Sequence, residues 1–383
     1  MFKDMDEKYF GDLCVIGMRG SEDFVGEVDN YLRDWRQEKL RASKSFLITP
    51  ECTRFGTGEG KGVLHDSMRG RDVYIFADVF NYGVTYKMYG QTCPMSPDDH
   101  YQDLVRVIGA IAGKARRISV IMPMLYEGRQ HKRSRRESLD CAVALKALVD
   151  MGVSNIITFD AHDARVQNAI PMSGFEDVHP THQMIKALLS TEQDISLDPK
   201  DIMMISPDEG GMGRCIYYSS VLGIDLGMFY KRRDFTRVVD GRNPIVEHKY
   251  IGKSVKGKDV IIVDDMISSG ESMLHVSEQL KEKGAKRIFM FSSFGLFCNG
   301  LDSFDKAYAD GMFDRVFTTN LIYRTPELKQ REWYHEVNLT KYVALIIDTL
   351  NRDESISTLL NPVERIHNFV DNWKKEQKEK SAK

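Results

Sequence analysis

From Asp72 onward, short runs rich in β-branched and apolar residues alternate with longer stretches whose apolar positions recur every three to four residues. That alternation predicts parallel strands joined by crossover helices, an α/β architecture. In the first half it predicts strands at Asp72–Ala77, Ile118–Pro123 and Ile156–Phe159, and helices at Asp99–Gly113 and Leu139–Met151. Leu139, Val143, Ala147 and Met151 recur at i+4 and so predict one buried face, with Gly152 as the stop. The alternation restarts after the polar stretch Thr191–Lys200, with strands expected at Ile202–Ser206, Leu226–Tyr230, Val260–Val263 and Arg287–Phe291. Helices are expected there at Met212–Leu222 and Met273–Lys283. Two α/β units in tandem account for the pattern. Met1–Thr53 gives only a weak signal, and Lys374–Lys383, dominated by lysine and glutamate, is expected to stay mobile because it cannot contribute to a core.

A chain of 383 residues is long enough for two or three domains. Its net charge of −3 excludes a general nucleic-acid or membrane-surface binder, so any charge-driven function must be local. Six cysteines stand far apart with no CxxC pair, which predicts reduced thiols in the cytoplasm and no thiolate metal site. The acidic N-terminus lacks the pattern of an export signal, and no run of about 18 apolar residues predicts a membrane span.

The sharpest chemical signal is Val260–Ser272, an apolar strand ending in Asp264 and Asp265, followed by the small turn Ser268, Ser269, Gly270, Glu271, Ser272 and a helix. Ligands of open parallel sheets sit beyond the carboxyl ends of strands. A small-residue turn at a helix N-terminus offers free backbone N–H groups to a phosphate. The two acids can accept bonds from sugar hydroxyls or hold hydrated Mg²⁺; alternatively they are solvated loop acids and Ser272 is a helix cap.

Four further segments carry candidate chemistry. Asp160 and His162 follow a strand and, two apart, point the same way if the extended backbone continues, which suits a Mg²⁺–nucleotide site. Upstream, Tyr126–Arg136 packs five cations into one loop, readable as an anion site, a solvated surface or an RNA patch. Ser206–Gly213 places Asp208 in a glycine-rich turn that opens a helix. Lys231 and Arg233 end a strand before the polar segment Asp234–Lys249, which is long enough to form a mobile flap or a plain hairpin.

The Val260–Ser272 segment resembles the ribose-5-phosphate loop of the type I phosphoribosyltransferase fold, and the ordered set of segments resembles the ribose-phosphate diphosphokinase family. The resemblance runs from about Arg54 to Phe297 through Arg69–Phe76, Gly128–Gln130, Thr158–His162, Ser206–Gly211, Lys231–Arg233 and Lys256–Asp265. Phe55–Glu59 is similar to the family's adenine-contacting segment, with Thr57 in place of an amide or acid. Where the family commonly has an aspartate after Arg-Gln, His131 stands here, and Glu271–Ser272 replaces Gly-Thr.

The resemblance implies two tandem phosphoribosyltransferase-like domains with parallel sheets flanked by helices. Residues 1–180 would form the ATP side, residues 181–345 would carry the ribose 5-phosphate loop and flap, and residues 346–383 would be an extension, helical and then mobile. It implies transfer of the diphosphoryl group of Mg-ATP to ribose 5-phosphate by a homo-oligomer of dimer units, up to a hexamer. Phe55, Thr57, Glu59, Arg129, Gln130 and His162 would touch ATP, and Asp160, His162 and Asp208 would serve Mg²⁺. Asp264, Asp265 and Ser268–Ser272 would bind ribose 5-phosphate, and Lys231 and Arg233 would be catalytic. An inactive regulatory homologue and a transferase that consumes the product are the alternatives.

Overall fold

In the computed structural model, residues 9–40, 44–233 and 245–381 are described. The chain divides into two compact units, the first comprising 1–180, 320–323 and 338–361, and the second 181–319, 324–337 and 362–383. The C-terminal stretch therefore contributes to both.

The first unit is built on a six-stranded sheet in the order Gly174–Val178, Asn155–Phe159, Arg117–Ile121, Arg71–Phe76, Asp12–Gly17, Leu47–Ile48. Every neighbouring pair is parallel, and the central strands are apolar because helices and loops bury both faces. Helix Pro97–Ile111 begins two residues earlier than its periodicity predicts, since Ser96 and Asp99 form a reciprocal capping box around Pro97. Helix Asp140–Asp150 buries Cys141, Ala144, Leu145 and Leu148, whereas Val143 is 63% exposed. The face expected from Leu139, Val143, Ala147 and Met151 is thus the wrong one. The i+4 count missed the stripe at 141, 144, 145 and 148, which follows the true 3.6-residue period.

The weak N-terminal region supplies strand Asp12–Gly17 and helix Glu22–Leu40. Its helix buries Val25, Val28 and Leu32 and is also held by a long-range contact that local pattern does not reveal. Arg36 donates to Asp348 Oδ1 and Asn351 Oδ1, and Asn351 donates to Asp72 Oδ2, so helix Thr340–Asn351 is tied to the N-terminal elements of the same unit.

The second unit has a seven-stranded sheet in the order Ile245–Ile251, Asp225–Arg233, Ile202–Ser206, Asp259–Ile267, Ile288–Gly295, Arg315–Thr319, Tyr334–Val337. All pairs are parallel except the antiparallel edge pair of Asp225–Arg233 with Ile245–Ile251. From Ile202–Ser206 the chain winds toward that edge, then returns to Asp259–Ile267 and winds the other way. The switch point of the sheet therefore lies between these two adjacent strands, where ligands of such sheets bind. Helix Val363–Ser381 lies against helices Thr181–Thr191 and Met212–Leu222 of the same unit. The tail from Lys374, expected to be mobile, is helical through Ser381, because lysine, glutamate and glutamine are good helix formers even where they bury nothing.

Candidate active site

Strand Asp259–Ile267 is longer than the apolar run that predicts it. Asp264 and Asp265 belong to its last turn of pleat, Asp264 pairing with Ser292 on the neighbouring strand. Asp265 is buried, and its N–H donates to Asp264 Oδ1 at 2.9 Å. Burial and the adjacent Asp265 carboxylate hold Asp264 well above the ordinary carboxylate range, and Asp208 adds to the repulsion. Arg214 opposes it, with Nη1 3.9 Å from Asp264 Oδ1.

Asp208 and Arg214 arrive from the other side of the switch point. After strand Ile202–Ser206, Asp208 Oδ1 accepts the N–H groups of Gly210 and Gly211, and Ser206 Oγ donates to the Asp208 carbonyl. This tight turn opens helix Met212–Leu222, whose first turn carries Arg214. Two carboxylates expected from sequence, Asp208 and Asp264, thus share an electrostatic neighbourhood. Arg214 was not singled out from sequence. Its position three residues past the Gly-Gly turn, on the first turn of a helix at a strand end, was the available signal.

The phosphate-loop candidate follows at once. Gly270 has φ +83°, and a Cβ there would lie 2.2 Å from Phe304 Cε2, so only glycine fits. Helix Glu271–Glu282 starts immediately after it, with Glu271 and Ser272 exposed and Ser268 and Ser269 half-buried. The Ser268 carbonyl accepts the Cys298 N–H at 2.8 Å, which pins the loop to the segment after the next strand. An N-terminal helix turn with exposed hydroxyls beside a carboxylate pair is suited to one anion and a set of hydroxyl donors.

In the first unit, strands Arg117–Ile121 and Asn155–Phe159 are parallel neighbours, so the loops leaving their carboxyl ends lie side by side. Gln130 N donates to the Glu127 carbonyl in the turn that presents Arg129, which is exposed, and Gln130, which is half-buried. Asp160 takes φ +45°, which ends the extended run. The expectation that Asp160 and His162 project together therefore fails. Asp160 is buried with His179 Nδ1 3.5 Å from its Oδ1, whereas His162 is exposed and its ring centroid lies 5.4 Å from that of His131. Asp177, whose carboxylate accepts the Ala161 N–H, and His179 are further residues that the sequence did not mark.

Phe55, Thr57 and Glu59 form the turn of the hairpin Glu51–Arg54 and Gly60–Val63. Thr57 Oγ1 donates to Glu59 Oε2 at 2.9 Å, and Phe55 is half exposed. The backbones of Lys231 and Arg233 pair with His248 and Ile245 across the edge hairpin. Their side chains, and residues 234–244 of the expected flap, lie outside the described residues.

Among the described residues, no group of three or more His, Cys, Asp or Glu side chains forms a metal cage. Mg²⁺ does not require one, since it keeps several waters and takes one or two carboxylates together with substrate phosphates. The oxygen donors of Asp160 and Asp208 fit that chemistry. His162 fits less well as a direct ligand, because imidazole suits softer metals, and better as a hydrogen-bonding group. No helix among the described residues is long and apolar enough to cross a membrane. All six cysteines are free, and burial pushes the thiols of Cys14, Cys141 and Cys215 up to about 12.

Comparison with known proteins relates these features to a family. Residues 13–152 match the N-terminal domain of ribose phosphate pyrophosphokinase, and residues 175–302 match the phosphoribosyl transferase domain. The chain is 30% identical over 316 residues to the ribose-phosphate pyrophosphokinase of Vibrio parahaemolyticus, covering 81% of this chain and 90% of the relative. It is 29% identical over 326 residues to that of Vibrio cholerae, covering 84% and 94%. The fold is similar to the crystal structure of phosphoribosylpyrophosphate synthetase from Mycobacterium smegmatis, with a TM-score of 0.70 at 19% identity, covering 89% of this chain and 99% of that one.

Proposed function

The chain belongs to the ribose-phosphate pyrophosphokinase family, and from that premise we propose that it transfers the diphosphoryl group of ATP to the anomeric hydroxyl of ribose 5-phosphate. That oxygen attacks the β-phosphorus, the bond from this phosphorus to the α-phosphate bridging oxygen breaks, and AMP leaves with the electron pair as the hydroxyl gives up its proton. The observation that carries the reading is the gathering of Asp208, Arg214, Asp264 and Asp265 at the switch point, ahead of a helix that starts at Gly270. Such a site offers acceptors for ribose hydroxyls and backbone donors for a 5-phosphate on adjoining elements.

Phosphoryl-type transfer asks little covalent chemistry of the protein and much positioning and positive charge. Asp264 and Asp265 would orient the ribose hydroxyls, and Ser268–Ser272 would hold the 5-phosphate. Arg129, Gln130 and His162 would bind the nucleotide, with Phe55, Thr57 and Glu59 facing adenine across a homo-oligomer contact. Asp160 and His162 in the first unit and Asp208 in the second would each serve Mg²⁺; when bound, the ion would neutralise charge on the phosphate oxygens. Lys231 and Arg233 would supply charge where it develops on the leaving oxygen. The free thiols support a reducing, cytoplasmic setting.

Incubation of the purified chain with ATP, MgCl₂ and ribose 5-phosphate, followed by chromatography, tests the reading. Equimolar AMP and 5-phosphoribosyl-1-diphosphate are expected. Absence of turnover would assign the chain to inactive homologues, and product consumption with a free base would assign it to the transferases.

A further inference from the structure

We infer that His131 is a positioning residue for the nucleotide half of the reaction, fixing the Arg129–Gln130 turn to the His162 loop through Asp163. The inference rests on the proposed role of those two loops in nucleotide binding. His131 Nε2 lies 3.4 Å from Asp163 Oδ2, and both side chains are largely shielded, at 14% and 13% exposure. Asp163 is also held by Arg165, whose Nε and backbone N–H donate to Oδ1 at 2.8 Å and 3.0 Å and whose Nη2 donates to Oδ2, the oxygen that faces His131. The carboxylate is therefore a fixed anchor. His131 in turn directly follows Arg129 and Gln130 and sets its ring 5.4 Å from that of His162, tilted by 58°.

Two loops that leave neighbouring parallel strands are thereby cross-linked between their functional residues. Burial holds the His131 imidazole below its ordinary value despite the pull of Asp163. The contact is a shielded polar one between the imidazole and the carboxylate, less screened by solvent than a surface ion pair. The pairing also explains why the residue after Arg-Gln is not an aspartate here. An aspartate at 131 would meet the Asp163 carboxylate and push the two loops apart. His131 and Asp163 form a matched set in which each sets the acceptable identity of the other.

The test is equilibrium binding of Mg·α,β-methylene-ATP and, separately, of ribose 5-phosphate to the full-length chain and its variants. His131→Ala should weaken the nucleotide analogue about tenfold, the effect of losing one close polar contact that holds its loop, and leave ribose 5-phosphate affinity unchanged. His131→Asn, which keeps a donor, should recover most of the loss. His131→Asp should bind the analogue no better than the alanine variant, and the swap His131→Asp with Asp163→His should restore binding relative to either single change. Should His131→Ala fail to fold, the asparagine variant and the swap carry the comparison. Unchanged analogue affinity in His131→Ala, a swap no better than its singles, or no analogue binding by the wild-type chain would each overturn the inference. A wild-type chain that binds the analogue yet forms no AMP from ATP would refute the proposed reaction while leaving the affinity comparison intact.

Discussion

Arg214 Nη1 stands 3.9 Å from Asp264 Oδ1, bringing the first turn of one helix to the end of the neighbouring strand at the switch point of the second sheet. The guanidinium is the cation that offsets the repulsion among Asp264, Asp265 and Asp208. Arg214→Ala should therefore push Asp264 further up and weaken ribose 5-phosphate about tenfold at neutral pH, with Arg214→Lys intermediate because it restores the charge without the planar fork. Calorimetric titration with ribose 5-phosphate measures this. Wild-type affinity in the alanine variant would remove Arg214 from the site.

Asp264 trades stability for binding. Its folded carboxyl group is held well above the unfolded value, so above about pH 4 the folded chain retains protons that the unfolded chain releases. Stability contributed by this residue is consequently lost as pH rises from there through the raised folded value. Asp264→Asn should raise the melting temperature at pH 7, by about 2–4 °C for each kcal/mol recovered, and flatten that part of the pH dependence, while abolishing ribose 5-phosphate binding. A melting temperature at or below wild type would contradict the account.

Gly270→Ala places a methyl group against the Phe304 ring and forces an L-residue to φ +83°. Strain of this kind costs about 1–3 kcal/mol before the clash is counted. The loop can escape by shifting, so the variant should keep its global fold by circular dichroism yet lose ribose 5-phosphate affinity by about 30-fold or more, a loss of the same size converted to binding. Retained affinity would mean that Ser268–Ser272 does not bind the phosphate.

Lys231→Ala and Arg233→Ala should lower AMP formation by about 10³–10⁵, as removal of comparable transition-state cations does, while ribose 5-phosphate still binds. This expectation comes from the sequence and the family. Near-normal turnover in both variants, measured by AMP release at saturating substrates, would relieve them of the catalytic role.

The elements whose signal is local were legible. Strand Ile202–Ser206 and helix Met212–Leu222 match their sequence-derived bounds, because an apolar run and a glycine-bounded amphipathic stretch carry their own instructions. Helix Glu22–Leu40 gives a weaker signal, although Val25, Val28 and Leu32 recur at helical spacing and are buried; what the linear pattern could not show is that Arg36 meets Asp348 more than three hundred residues away. The site follows the same division. Asp264, Asp265, Asp208 and Gly270 stood out because their type and place beside a strand or turn have a chemical meaning. Arg214 and Asp163 matter through a neighbour on another loop, and a linear reading does not bring that neighbour into view. The φ of Asp160 is a further case, since a single left-handed residue redirects everything after it and no periodicity announces it.

Glu271 puts a carboxylate on the first turn of the helix that follows the phosphate-loop candidate. It is exposed, so it is solvated and screened rather than buried against the phosphate. At the same time it satisfies part of the positive end of the helix dipole, worth about 0.3–1 kcal/mol, which a bound phosphate would otherwise claim. Glu271→Gln should thus lower the melting temperature slightly and strengthen ribose 5-phosphate binding by about two- to fivefold at low salt, the same energy expressed as affinity. The gain should shrink as ionic strength rises, because the competing charge is exposed. Titrations at two salt concentrations decide the matter, and a gain that does not depend on salt would point to a steric role for Glu271 instead.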